Sequence, residues 1–261
     1  MKTFQILFYL LTVIGCSILI ANAFGKEAAS IVTNTLYVIV PGTLFAFSVV
    51  IVARNRGDSN QSKAYLLFAG FVSSWFGGEL VSVFSELVYH LPAIPQEAEI
   101  LYFCGYGFLF FFSIYYLKPF WAGISRKMVW YGLAGSLTFL GLTLYYTYSF
   151  HIHADLFQII WASLYPVFDS VVLFPTILGM LLFFRGKVGL LWSLAFIAIV
   201  LNIVADSGVL FIAPDRTYYT GNPIDIMYLS AYVLFAFGLY HHIQIFKSPK
   251  KKSLGDFKDL R

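Results

Sequence analysis

Apolar residues fill eight long stretches of the chain, at about 4–23, 31–53, 64–90, 98–118, 127–149, 156–184, 188–213 and 223–246, and polar residues gather between them. One helix needs roughly 20 mostly apolar residues to cross a bilayer. The pattern therefore predicts eight membrane-crossing helices. The third and sixth stretches are longer, which implies tilt or extension into the headgroup layer. Charged or turn-forming residues mark several ends. Arg54-Asn55-Arg56-Gly57-Asp58 closes the second stretch, Lys118-Pro119 closes the fourth, and Arg185-Gly186-Lys187 forms the turn between the sixth and seventh. The first stretch, between Lys2 and Ala21-Asn22-Ala23, has the outline of a secretory signal with its cleavage site. Its apolar run of about 17 residues is longer than a signal core, and the internal repeat described below needs it as a retained helix.

Composition points the same way. Of 261 residues, 59% are hydrophobic, 20% aromatic and 11% charged, whereas a soluble domain carries about 25% charged residues. The expected fold class is an all-α integral membrane protein, with one transmembrane domain over 1–246 and a short basic tail over 247–261. Cys16 and Cys104 lie inside apolar runs and offer neither a disulfide framework nor metal spacing.

Charge adds orientation. Fifteen of the seventeen Lys and Arg residues fall on one side of the predicted spans, and only Lys26 and Arg216 on the other. By the positive-inside rule both termini are expected in the cytoplasm, and the loops near 24–30, 91–97, 150–155 and 214–222 face outward. The tail suits anionic headgroups. The lipid bilayer is thus the expected partner, in a cell membrane. The net charge of +4 is no nucleic-acid signal, because the basic residues sit at segment ends and in the tail.

The chain also repeats itself. Glu79, Glu99, Tyr102 and Tyr106 align with Asp206, Asp225, Tyr228 and Tyr232 at offsets of 127, 126, 126 and 126, and Tyr37 aligns with Tyr165 at a similar offset. Helices 1–4 (about 1–121) are expected to recur as helices 5–8 (about 127–246). Four crossings per copy make the copies parallel, related by an axis along the membrane normal.

Ionisable residues at membrane depth are expensive and default to a functional hypothesis. Here they are Glu79, Glu86, Asp169 and Asp206, all expected in the outer half. Glu79 and Glu86 share one helix face, as do Asn202 and Asp206. Glu99, Tyr102 and Tyr106 form an i, i+3, i+7 stripe, repeated by Asp225, Tyr228 and Tyr232. Together, Glu79, Glu86, Asp169, Asp206, Tyr102, Tyr106, Tyr228 and Tyr232 would line an outward-opening acidic and aromatic pocket. Carboxylates and phenol faces suit a cation, an amine or protons. Other roles compete. Asn222-Pro223-Ile224-Asp225 reads as a helix start, with Asn at the N-cap and Pro at the first helical position, and Glu97 stands in a similar place. The tyrosines fit interfacial anchors, and the acids fit polar glue between helices.

His90, His151 and His153 are weak metal candidates, because a His-x-His without a fixed third ligand is a poor signal. His241 and His242 are expected in solvent at the cytoplasmic end. No cofactor signature, H-E-x-x-H, G-x-S-x-G or P-loop occurs, and the last helix lacks a Lys for a retinal Schiff base. The cluster of histidines used by zinc-dependent intramembrane hydrolases is not on one face here. No enzyme activity is therefore expected, an intramembrane metal-dependent hydrolase being the trailing alternative.

One resemblance covers roughly 74–246. Gly78-Glu79, Pro92 with Pro95, Ala98-Glu99-Ile100-Leu101-Tyr102-Phe103-Cys104-Gly105-Tyr106, Tyr165-Pro166-Val167-Phe168-Asp169, Ala205-Asp206 and Gly221-Asn222-Pro223-Ile224-Asp225 are the carrying residues. They resemble the multi-pass membrane sensor modules found ahead of diguanylate cyclase or histidine kinase domains in prokaryotic signalling proteins. Glu99 stands where that pattern has Asp. No output domain follows Lys252, so the resemblance implies a stand-alone module whose signal would pass to a separate partner protein. The expected function is a sensor-like, ligand-binding membrane module. The alternatives are a small cation, amine or proton-coupled transporter and a non-catalytic accessory subunit of a membrane complex.

Overall fold

The computed structural model describes residues 2–57, 59–90, 95–150, 156–184, 186, 188–212 and 218–245. The basic tail from 247 onward, Pro92, His151, His153, Arg185, Lys187 and Arg216 lie outside the described residues. Eight helices follow one another: α1 (Lys2–Ala23), α2 (Lys26–Arg54), α3 (Asn60–Leu87), α4 (Gln96–Leu117), α5 (Arg126–Phe150), α6 (Leu156–Phe183), α7 (Gly189–Ile212) and α8 (Asp225–Ile245). Each carries a stretch long and apolar enough to cross a membrane. The eight apolar runs thus map one to one onto eight helices, as befits a multi-pass integral membrane protein. In lipid, a helix is the simplest way to satisfy every backbone group within its own segment.

The ends have local causes. Ser59 caps α3 by accepting a hydrogen bond from the Ser62 N–H at 3.1 Å. A 3-10 turn, Lys118–Gly123, continues α4 past Pro119, further than the apolar run suggests. Helix α8 begins two residues later than Pro223: Asn222 Oδ1 accepts from the Ile224 N–H in an Asx turn, and regular helix starts at Asp225. Pro41, Pro166 and Pro175 lie inside helices α2 and α6, as neighbouring helices in a membrane allow.

Six helices close into a ring. Helix α2 packs on α3, α3 on α4, α4 on α6, α6 on α7, α7 on α8, and α8 back on α2. Helix α1 lies against α2 and α8; α5 lies against α6 and touches α7. Burial follows this layout. Within the spans, 67% of α8 is buried and 11% of α5, so α8 is central and α5 peripheral. Every residue from 229 to 239 of α8 is buried, the mark of a helix that is apolar all round. On α5, Trp130, Tyr131, Leu137, Leu142 and Tyr145 are exposed and offer an apolar face to lipid.

The ring is filled differently at its two ends. Toward the end where α3 starts and α8 finishes, aromatic side chains interlock: Phe68 with Phe112 at 5.0 Å, Phe71 with Phe235 at 5.4 Å, and Tyr116 with Trp192 at 5.4 Å between centroids. His242 belongs to this packing. It is 1% exposed and bonded to the Tyr65 hydroxyl, which corrects the expectation of a solvated residue. Toward the other end the filling is polar.

Candidate functional site

The polar filling begins with a chain of side chains from four helices. The Tyr106 hydroxyl, on α4, lies 2.8 Å from Asp169 Oδ1 of α6 and 2.8 Å from Asp206 Oδ2 of α7. The Tyr228 hydroxyl of α8 donates to the remaining oxygen, Asp206 Oδ1. Asp169 is 2% exposed and Asp206 7%. Tyr106 is held from two sides: its ring stacks on Phe168 at 5.8 Å, and Trp75 meets it edge-on at 5.5 Å.

Trp75 leads to the second group. Its indole also meets Tyr232 at 5.9 Å, and the Tyr232 hydroxyl donates to Glu79 Oε1 at 2.7 Å. Glu79 is 7% exposed. The preceding residue has to be glycine. A Cβ on Gly78 would lie 2.7 Å from the Tyr102 ring, so Tyr102 reaches the neighbourhood of Glu79 only because α3 has no side chain there. Ser82, one turn beyond Glu79, places its buried hydroxyl beside the Tyr102 phenol. No Lys or Arg occurs at 64–117, 128–184, 188–215 or 217–246, so the helices that supply these acids bring no cation to that depth.

A fourth carboxyl group sits where the 218–224 segment meets α1 and α2. Asp225 is wholly buried. Its Oδ1 accepts from the Tyr37 hydroxyl at 3.0 Å and the Tyr218 hydroxyl at 2.9 Å, and its Oδ2 from the Gly221 N–H at 2.6 Å. Burial and the Asp225 carboxyl beside it hold the Tyr218 phenol well above its ordinary pKa, so Tyr218 stays a proton donor. The Gly221 bond is a cap, as the helix-start pattern suggests, but the two phenols make Asp225 a tie between α2, α8 and the preceding segment. That segment is seated closely. Gly221 has φ +101°, and a Cβ there would lie 2.6 Å from the Ala29 carbonyl carbon. Asn22, inside Ala21-Asn22-Ala23, donates to the Gly221 carbonyl at 2.7 Å and accepts from the Tyr219 hydroxyl at 2.6 Å. The apparent cleavage site is the last turn of a packed helix.

Not every residue singled out in the sequence meets the others. Glu86 forms a separate group, accepting from Ser30 at 2.6 Å and from Asn34 at 3.1 Å on α2. Glu99 accepts from the Trp161 indole at 2.7 Å. His90 is exposed and has φ 53°. Among the described residues no three His, Cys, Asp or Glu side chains are grouped to hold a metal. Tyr37 stood out in the sequence only as a repeat marker, and Tyr218, Trp75 and Trp161 not at all. A single phenol or indole in an apolar run has no distinguishing pattern until its partner acid is beside it.

No protein-family model matches the chain, and no curated protein and no solved structure matches it.

Proposed function

We propose that the protein is a sensor-like, ligand-binding module of the membrane in which a small cation, such as an organic amine, engages Glu79, Asp169, Asp206 and the phenols around them. The observation that carries this reading is reciprocal bonding between the two halves of the chain. Tyr106 of α1–α4 bonds Asp206 of α5–α8, and Tyr232 of α5–α8 bonds Glu79 of α1–α4. The aligned residues exchange roles, as they do across a two-fold axis. The helix neighbours support the same duplication: α2–α3, α3–α4 and α4–α6 correspond to α6–α7, α7–α8 and α8–α2. Because the acids join the halves, a ligand that competes for the carboxylates changes how the halves pack. Such a change is a means of passing a signal to a partner protein. The carboxylates and phenols supply charge and cation–π attraction.

Transport is the second reading, favoured by that same reciprocity, since parallel repeats around acids at membrane depth also suit alternating access. Two measurements separate the readings. A binding module is stabilised against thermal unfolding in detergent by tetramethylammonium or a primary amine, and Glu79→Gln or Asp206→Asn abolishes the shift. A transporter moves the solute or protons into proteoliposomes, and the same variants stop it. Co-purification with a partner, together with indifference to both substitutions, would favour an accessory subunit and sink both readings.

A further inference from the structure

A single phenol stands between two carboxyl groups. The Tyr106 hydroxyl is 2.8 Å from Asp169 Oδ1 and 2.8 Å from Asp206 Oδ2. A phenol has one proton to donate, and an ionised carboxylate has none. Tyr106 therefore donates to one carboxyl and accepts from the other, and the carboxyl that donates to it carries a proton. With both groups ionised, one of the two contacts would set oxygen against oxygen with no proton between them, at the centre of two like charges. Tyr228 does not change this count, because it donates its own proton to the other oxygen of Asp206.

The surroundings supply no substitute for that proton. The titratable groups around the pair are acids and phenols: Glu79 from α3, Tyr102 and Glu99 from α4, Tyr165 from α6, and Tyr228 and Tyr232 from α8. Helix α2, packed on α8, contributes Tyr37. Helix α5, packed on α6, carries Arg126 and Lys127 at its first two positions, at the opposite end from the acids.

We propose that Asp169 and Asp206 form a proton-binding pair bridged by Tyr106, holding one proton between them. This pairing rests on the two contacts of Tyr106 and not on the proposed function. Its counterpart in the first half differs, because Glu79 meets Tyr232 without a second carboxyl group bonded to the same phenol.

Infrared spectroscopy of the purified protein at neutral pH, in water and in D2O, tests this directly. A protonated carboxyl has a carbonyl stretch that shifts in D2O and is absent from a carboxylate. The expected result is a band in the unsubstituted protein that is lost in Asp169→Asn and equally lost in Asp206→Asn, separate from any band that Glu79 contributes. In either variant the Asn amide donates to Tyr106 and the remaining carboxyl ionises. The band should persist in Glu79→Gln. Absence of any such band, two bands of which Asp169→Asn removes one and Asp206→Asn the other, or bands lost only in Glu79→Gln overturns the proposal. Should the Asn variants fail to fold, Tyr106→Phe keeps the ring and removes the bridge. The band must then move in frequency, and an unmoved band also overturns the proposal.

Discussion

Helices α3–α4 and α7–α8 present the same stripe of acid and tyrosine, yet bury it differently. In α7–α8 the acid at the start of the second helix, Asp225, has two phenols and a backbone N–H and no exposure. Its counterpart in α3–α4, Glu99, is half-buried and bonded to Trp161. The deeper acids differ too. Asp206 shares a phenol with Asp169, whereas the residue of α2 that aligns with Asp169 is Pro41, so Glu79 has no such companion. Gly78 precedes Glu79 where Ala205 precedes Asp206. One pattern of residues thus gives a tightly satisfied second half and a looser first half. A polar group at membrane depth stabilises by the number of partners that packing brings to it, not by its own charge.

Breaking the better-satisfied acid has the largest effect. Asp225→Ala leaves the Tyr37 and Tyr218 hydroxyls and the Gly221 N–H unpaired in a buried place. At about 1–3 kcal/mol for each orphaned group, with partial relaxation, a loss on the order of 3 kcal/mol is expected. Glu99→Ala removes one acceptor, that of the Trp161 N–H, at a half-buried site, and less than about 1 kcal/mol is expected. Thermal unfolding midpoints in detergent measure both, and equal shifts would erase the contrast between the halves.

Next is the residue before each deep acid. Gly78→Ala pushes a Cβ into the Tyr102 ring, and overpacking of this kind costs about 1–3 kcal/mol. The reciprocal Ala205→Gly removes a methyl from a buried helix position and costs about 1 kcal/mol through helix propensity. If Gly78→Ala leaves the unfolding midpoint unchanged, Tyr102 does not depend on the missing side chain.

Hydroxyl removal sharpens the comparison further. Tyr106→Phe breaks two hydrogen bonds and Tyr232→Phe one. Single bonds between membrane helices average about 0.6 kcal/mol, so the first variant should lose roughly twice what the second does. A double-mutant cycle of Tyr232→Phe with Glu79→Gln should show coupling, and one of Tyr106→Phe with Glu79→Gln should show little. The smallest effect is expected outside both halves' central contacts. Glu86→Gln keeps an acceptor for Ser30 or Asn34 and should shift stability by less than about 0.5 kcal/mol.

Much of this architecture was legible in the order of residues. Whether a segment is apolar enough to span a bilayer is a local property, so the eight runs led to the eight helices. Which side chains share a helix face follows from the helical period alone, so the stripes of Tyr102 with Tyr106 and Tyr228 with Tyr232 were visible too. The meeting of acids was not. Glu79 and Tyr232 are 153 residues apart and Tyr37 and Asp225 are 188 apart. Nothing in either neighbourhood names the other, because helices in lipid choose neighbours by close fit rather than by hydrophobicity. Tertiary packing alone separated Glu86 from the cluster, buried His242, and set one phenol between Asp169 and Asp206. A polar group's partner, and with it the proton it must hold, exists only once the helices have closed around it.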